Sequence, residues 1–280
     1  MDLPFEQTPH AGLDPTSFSD VLRNVRPESL PKVGSVDGLA MPHATTILAV
    51  VFEDGVIIAG DRRAIEGFTI ADRTIEKVFA TDDMSAVAIA GTAGPAIEMT
   101  RLFQTELEHY EKVEGERLTL DGKANKLAQL IRAHLPMAMQ GLGVVPLFAG
   151  FDESKKVGRI FKYDMTGGRY EQTDYATTGS GGKDAKATIK KRYRPDLPRD
   201  EAIKVALEGL FDASEEDVAT GGPDVLRRIY PNIASITAAG FKEIPDDEIA
   251  QIFDDLLAER QGTVYPHTSI PEASEGGTDN

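Results

Sequence analysis

The feature that most constrains this chain is an abrupt change of texture at residue 45. Residues 1–44 carry prolines at positions 4, 9, 15, 27, 31 and 42 with little sustained periodicity, the composition of a weakly structured leader. From Thr45 onward the pattern is that of a folded β protein. Thr46–Phe52 is an apolar run, Asp54-Gly55 a hairpin turn signal and Val56–Ala59 a second apolar run, which together predict a buried β-hairpin. A second strand pair is expected at Lys77–Ala80 and Ser85–Ala90, joined by the polar turn Thr81–Asp83.

Two amphipathic helices are predicted next. Met99, Phe103, Leu107 and Tyr110 recur at helical spacing within 95–113, and Ala124, Leu127, Ala128, Ile131 and Leu135 do so within 119–138. Strands then return at Pro146–Phe151, Gly158–Tyr163 and Arg169–Gln172. Helices are expected at 184–193 and 200–213, a strand at Ala234–Thr237 and a last helix at 246–259. The order hairpins, helix pair, hairpins, helices suggests that each half supplies a sheet with helices on one face. Two such sheets stacked would give an α+β four-layer αββα sandwich. The segments are then a leader over 1–44, a folded domain over 45–260 and a polar, glycine-rich tail over 261–280.

Composition removes several chemistries. The chain has no cysteine, so thiolate catalysis, iron–sulfur clusters and disulfides are excluded, and a reducing, cytoplasmic setting is expected. The net charge of −16 would repel nucleic acid and anionic membranes. Neither a secretory signal nor a run long enough to span a membrane is visible. Gly182-Lys183 is followed by Asp184, with Thr177 where a phosphate-binding loop needs its first glycine. The dinucleotide fingerprint fails too, because Asp184 stands at its last glycine. No Gly-x-Ser-x-Gly elbow occurs. Glu106 and His109 share a helix face but lack the second pair that a carboxylate-bridged metal centre needs, so a solvated face, no metal and no cofactor are expected. The basic run Lys190–Arg194 reads as the end of a surface helix.

What remains is the junction Ala44-Thr45. A threonine hydroxyl needs a base within reach, and an N-terminal threonine carries one: its free α-amine has an ordinary pKa of about 7.7–8.0 and can take the hydroxyl proton directly or through water. This works only once the bond before Thr45 is cut, so the leader would act as a safety catch.

The stretch Thr45-Thr46-Ile47, Ala59–Arg63, Lys77 and Ile89–Gly91 resembles the proteasome β subunits, particularly the actinobacterial type, from Thr45 to about residue 260. An ungapped register puts the family's nucleophile, aspartate, lysine and oxyanion glycine in place. The resemblance implies an N-terminal nucleophile hydrolase in which Thr45 is the nucleophile, Asp61 and Lys77 a supporting ion pair, and the Gly91 N–H an oxyanion donor. Gly179-Ser180-Gly181 resembles the family's serine loop, and Asp217-Val-Ala-Thr220-Gly221 its Asp-x-x-Ser-Gly segment with threonine replacing serine. Ser180, Asp217 and Thr220 are thus expected to hold the Thr45 amine.

Taken singly these residues have plain structural readings: Asp61 a turn residue, Lys77 a solvated strand end, Gly91 a tight turn, Ser180 a loop residue. Their joint spacing is what carries the site.

The same register places Ala64, Ile75, Phe79, Ile89, Ala93 and Ile97 around a specificity pocket without charge, implying cleavage after apolar or aromatic residues, a chymotrypsin-like preference. The resemblance further implies seven-membered β rings stacked as a pair, α-subunit rings outside them, a separate ring-shaped ATPase, and substrates tagged with a small ubiquitin-like protein. Two alternatives stay open: an inactive ring subunit, and the simpler bacterial relative that works without α rings, which typically has Gly-Asp-Gly where this chain has Gly60-Asp61-Arg62-Arg63. One departure concerns activation. Ala44 stands where the family has glycine, and alanine reaches the strained turn needed for self-cleavage less easily.

Overall fold

A computed structural model of the chain describes residues 45–261. The expected leader with Ala44, and the tail beyond 261, lie outside the described residues.

Strand β1 (Thr46–Phe52) and strand β2 (Gly55–Gly60) form the first hairpin. Both read as unbroken apolar runs because both of their faces are covered. Leu48, Val50, Phe52, Ile57 and Ala59 pack under helices on one side, while Ile47, Ala49, Val56 and Ile58 fill the space between two sheets on the other. Strands β3 (Ala64–Glu66) and β4 (Thr69–Asp72) make a separate two-stranded excursion. Next come β5 (Val78–Asp82), β6 (Ser85–Ala88), helix α1 (Ala93–Glu114) and helix α2 (Leu120–Ala133). Gly115 ends α1 in the left-handed region, and the Thr119 side chain caps α2 by accepting from the Gly122 N–H.

The second helix was expected to continue to residue 138, but it breaks at His134, and only the short α3 (Leu135–Ala138) follows. Pro136 has no N–H to give to the preceding turn, and its ring crowds the carbonyl four residues back.

Strands β7 (Leu147–Asp152), β8 (Val157–Tyr163), β9 (Arg169–Gln172) and β10 (Tyr175–Gly179) lead to helices α4 (Gly182–Arg192) and α5 (Arg199–Glu216). Strands β11 (Asn232–Thr237) and β12 (Gly240–Glu243) and helix α6 (Asp246–Gln261) complete the order.

One antiparallel sheet runs β10-β1-β2-β11-β12 and the other β5-β6-β7-β8-β9. Helices α4, α5 and α6 cover the first through Ile189, Ile203, Leu207, Leu210 and Phe253; α1 and α2 cover the second through Phe103, Leu107, Leu127 and Ile131 against Phe148 and Phe161. The αββα sandwich is therefore present, with one correction to its assembly. The sheets do not divide by chain halves: the first hairpin pairs with β10 on one side and β11 on the other. Local patterning cannot distinguish these arrangements, because a strand buried on both faces looks the same beside any neighbour. Four strands went unforeseen. β3 and β4 lie mostly at the surface, β10 is a sheet edge rich in threonine, and β12 is a short edge strand mixing Gly, Lys and Glu with one Phe. None offers an apolar alternation to read.

Candidate active site

The head of β1 lies between the end of β2 and the end of β10. Thr46 pairs with Gly179, and the Ser180 N–H donates to the Thr45 carbonyl at 3.0 Å. Thr45 is only 5% exposed. Gly179 adopts φ +102°, and a Cβ there would stand 1.7 Å from the Thr45 carbonyl oxygen. Only glycine allows this close approach.

Asp61, just past β2, is fully buried and all of its oxygens are engaged. Oδ1 accepts from the Thr46 N–H at 2.8 Å and from Lys77 Nζ at 2.7 Å, while Oδ2 accepts from the N–H groups of Arg63 and Gly221, each at 2.9 Å. Lys77 precedes β5 and is 3% exposed, so it is not the solvated strand end that its position alone would suggest. Its ammonium donates also to the Arg63 carbonyl at 2.7 Å, and its backbone N–H to Asn232 Oδ1 at 3.1 Å. Burial pushes its pKa below the ordinary 10.5, Asp61 pulls the other way, and burial prevails. Lys77 is therefore a cation that releases its proton more readily than a surface lysine.

A second cluster meets the first at Thr46. Asp217 Oδ2 accepts from Ser180 Oγ at 2.5 Å and from Thr220 Oγ1 at 2.6 Å, and Oδ1 accepts from the Ala219 N–H at 3.1 Å. Thr220 Oγ1 lies 2.7 Å from Thr46 Oγ1, which accepts from the Gly181 N–H at 2.9 Å. The structure thus brings Thr45, Asp61, Lys77, Ser180, Asp217 and Thr220 to one end of the sandwich. Ser180, Asp217 and Thr220 bond to one another and to Thr46, and Ser180 also meets Thr45 through its backbone N–H.

Gly91 follows β6, at φ +115°, and a Cβ there would meet the Gly143 carbonyl oxygen at 2.2 Å. It bridges to Val144, but the ladder bonds are made by its neighbours: Val145 N–H donates to the Ala90 carbonyl, and Thr92 N–H to Gly143. The N–H of Gly91 is left out of that ladder. Ile89, two residues earlier, donates its N–H to the Lys77 carbonyl. Among the six expected pocket residues, Phe79, Ile89 and Ile97 pack in one cluster under α1. Ala64 opens β3 and Ile75 follows β4, where its N–H closes the excursion on the Arg62 carbonyl, and Ala93 opens α1 exposed.

Sequence reasoning missed Thr46, the two backbone groups of Arg63, and Asn232. Arg63 acts through its backbone, for which residue type carries no signal, and Asn232 is 155 positions from the lysine it supports. Thr46 could have been suspected only from its place beside Thr45.

The fold is that of the N-terminal nucleophile hydrolases. Residues 41–227 match the family described as proteasome subunit. Three relatives carry the name proteasome subunit beta. That of Acidimicrobium ferrooxidans is 56% identical over 80% of this chain and 83% of its own; that of Streptomyces griseus is 52% identical over 90% and 92%. The relative from Jonesia denitrificans is 48% identical over 91% and 84%. The chain belongs to the proteasome subunit family, as a β-type subunit and a threonine endopeptidase. No helix among the described residues is long and apolar enough to cross a membrane.

Proposed function

We propose that Thr45 is the nucleophile of this endopeptidase, freed when its own hydroxyl attacks the preceding carbonyl. The Ala44–Thr45 amide gives way to an ester on Oγ1 as its nitrogen takes up the proton, and water hydrolyses that ester to release the 44-residue leader. The observation that carries the reading is the sharing of Asp61 Oδ1 between Lys77 Nζ and the Thr46 N–H, which tethers a buried lysine to the residue next to Thr45. In the mature chain the α-amine takes the Thr45 hydroxyl proton as Oγ1 attacks the scissile carbonyl. The same proton then goes to the leaving amine, and water resolves the ester. The Lys77 ammonium favours the deprotonated forms of hydroxyl and amine. A Gly91 N–H aimed at the oxyanion would lower the barrier by about 3–4 kcal/mol, as such donors do in comparable acyl-transfer sites.

The rest of the reading follows the family. Residues 45–260 form the catalytic domain and 261–280 a tail. Paired seven-membered β rings assemble with α rings in the cytoplasm, fed by a separate ATPase that delivers proteins carrying a ubiquitin-like tag. Cleavage follows apolar or aromatic residues, and Ala44 makes maturation slower than glycine would.

Intact mass and N-terminal sequencing of the assembled particle, beside a Thr45→Ala variant, test this. A new terminus at Thr45, with processing and peptidase activity both lost in the variant, is expected. Residue 45 remaining amide-linked in an active particle would overturn it. On a fluorogenic panel, faster turnover after arginine or glutamate than after leucine, tyrosine or phenylalanine would reject the apolar preference.

A further inference from the structure

Thr46 has no part in the chemistry above, yet it is fully buried and bonds to both halves of the site. Its backbone N–H donates to the Asp61 oxygen that also holds Lys77. Its hydroxyl touches the other half, and the direction of each bond there can be deduced. An ionised Asp217 only accepts, so the Thr220 hydroxyl proton points to Asp217 Oδ2 at 2.6 Å. With that proton committed, the 2.7 Å contact between the two threonine hydroxyls is satisfied only if Thr46 donates and Thr220 accepts. The Gly181 N–H then fills an acceptor position on Thr46 Oγ1 at 2.9 Å. A single directed chain results, from Gly181 N–H through Thr46 and Thr220 to Asp217 Oδ2, the oxygen that Ser180 Oγ also engages at 2.5 Å.

We infer that Thr46 is a positioning residue: its hydroxyl and its amide lock the Ser180–Asp217–Thr220 cluster and the Asp61–Lys77 pair into one register on either side of Thr45. The inference rests on Thr45 being the nucleophile. It differs from a packing role in what it requires. The hydroxyl is needed and the methyl is not, because the donated and accepted hydrogen bonds set the geometry. A displacement of even about 1 Å at the reacting atoms can cost on the order of a hundredfold in rate.

The test compares full-length, assembled wild type with Thr46→Val, Thr46→Ser and Thr45→Ala, normalising turnover of a short apolar fluorogenic peptide to the fraction of chains with a free residue-45 terminus. For Thr46→Val, kcat is expected to fall about 10- to 100-fold with KM within about twofold, and Thr46→Ser to stay close to wild type. Wild-type kcat in Thr46→Val, or an equal loss in Thr46→Ser, overturns the positioning role while leaving Thr45 as nucleophile. Activity surviving in Thr45→Ala would instead overturn the nucleophile assignment. Should Thr46→Val fail to assemble, Thr220→Val breaks the same chain from its other end. The same selective loss of kcat is expected there, and an unchanged kcat rejects the inference.

Discussion

Two buried cations in this molecule have nearly the same exposure and opposite character. Arg159, on β8, is 6% exposed and binds three carboxylates: Asp121 and Asp152 at 2.6 and 2.9 Å from Nη1, and Glu171 at 2.6 Å from Nε. Lys77 is similarly buried but has one carboxylate, which it shares with backbone donors. Hydrogen bonds donated to Glu171 and Asp121 raise the Arg159 pKa further above its ordinary value, whereas burial lowers that of Lys77. An oversupply of acceptors makes a clamp that never yields its proton. A bare balance leaves a cation whose charge burial disfavours. The first ties α2, β7, β8 and β9 together, and the second is linked through Asp61 to the backbone of Thr46.

The largest expected effect breaks this contrast directly. Lys77→Arg keeps the charge but substitutes a planar, permanently protonated group. Peptidase turnover should fall about a hundredfold, the cost of a displacement of about 1 Å at the reacting atoms, because the larger fork cannot keep the contacts that Nζ makes with Asp61 and the Arg63 carbonyl. Turnover of the processed particle within tenfold of wild type would mean that only the charge matters. Arg159→Met should do the reverse. It leaves the buried Asp152 unpaired, while the half-exposed Asp121 and Glu171 turn to water. A loss of about 3 kcal/mol in denaturant unfolding is expected, at the low end for a broken buried pair, with turnover per folded particle unchanged.

The pH dependences should run in different windows. The Arg159 and Arg169 side chains hold Asp121 down at about 2 against an ordinary 3.8. A depressed carboxylate stabilises the fold above its unfolded pKa, so this contribution is complete above about pH 4 and is lost as pH falls towards 2. Lys77 is depressed below 10.5. The unfolded chain therefore binds more protons there, and the cost of burying the ammonium fades as pH rises towards that value. Urea titrations should find wild type gaining on Lys77→Met through the alkaline range; parallel curves would show that burial does not control this lysine. The smallest effect is Asp121→Asn. Asp121 is 46% exposed, so its screened pairing is worth less than about 1 kcal/mol at pH 7, and the variant's acid limb should be shallower than wild type.

Legibility in the sequence followed physical cause. The β1–β2 hairpin was plain because strands covered on both faces must be continuously apolar. Helices α1 and α2 were plain because one stripe of each is buried at helical spacing. The break at His134 was passed over although Pro136 marks it. The edge strands β10 and β12 left little apolar pattern, having neighbours on one side only. At the site, Asp61 and Lys77 were recognised by family resemblance, since an aspartate after a strand and a lysine before one each have ordinary explanations. That Lys77 is buried, with Arg63 and Asn232 as its further partners, depends on segments that meet only when the sheets stack.

By itself the sequence determined most of the strands and helices, because these follow from composition and local periodicity, while the candidate site residues came from its resemblance to the proteasome β subunits. The tertiary structure alone decided which strands pair, that the first hairpin lies between β10 and β11, and that the amide and hydroxyl of Thr46 join two clusters drawn from opposite ends of the chain. Those are long-range contacts. They depend on which buried surfaces face each other, and a periodic apolar pattern records only that a face is buried.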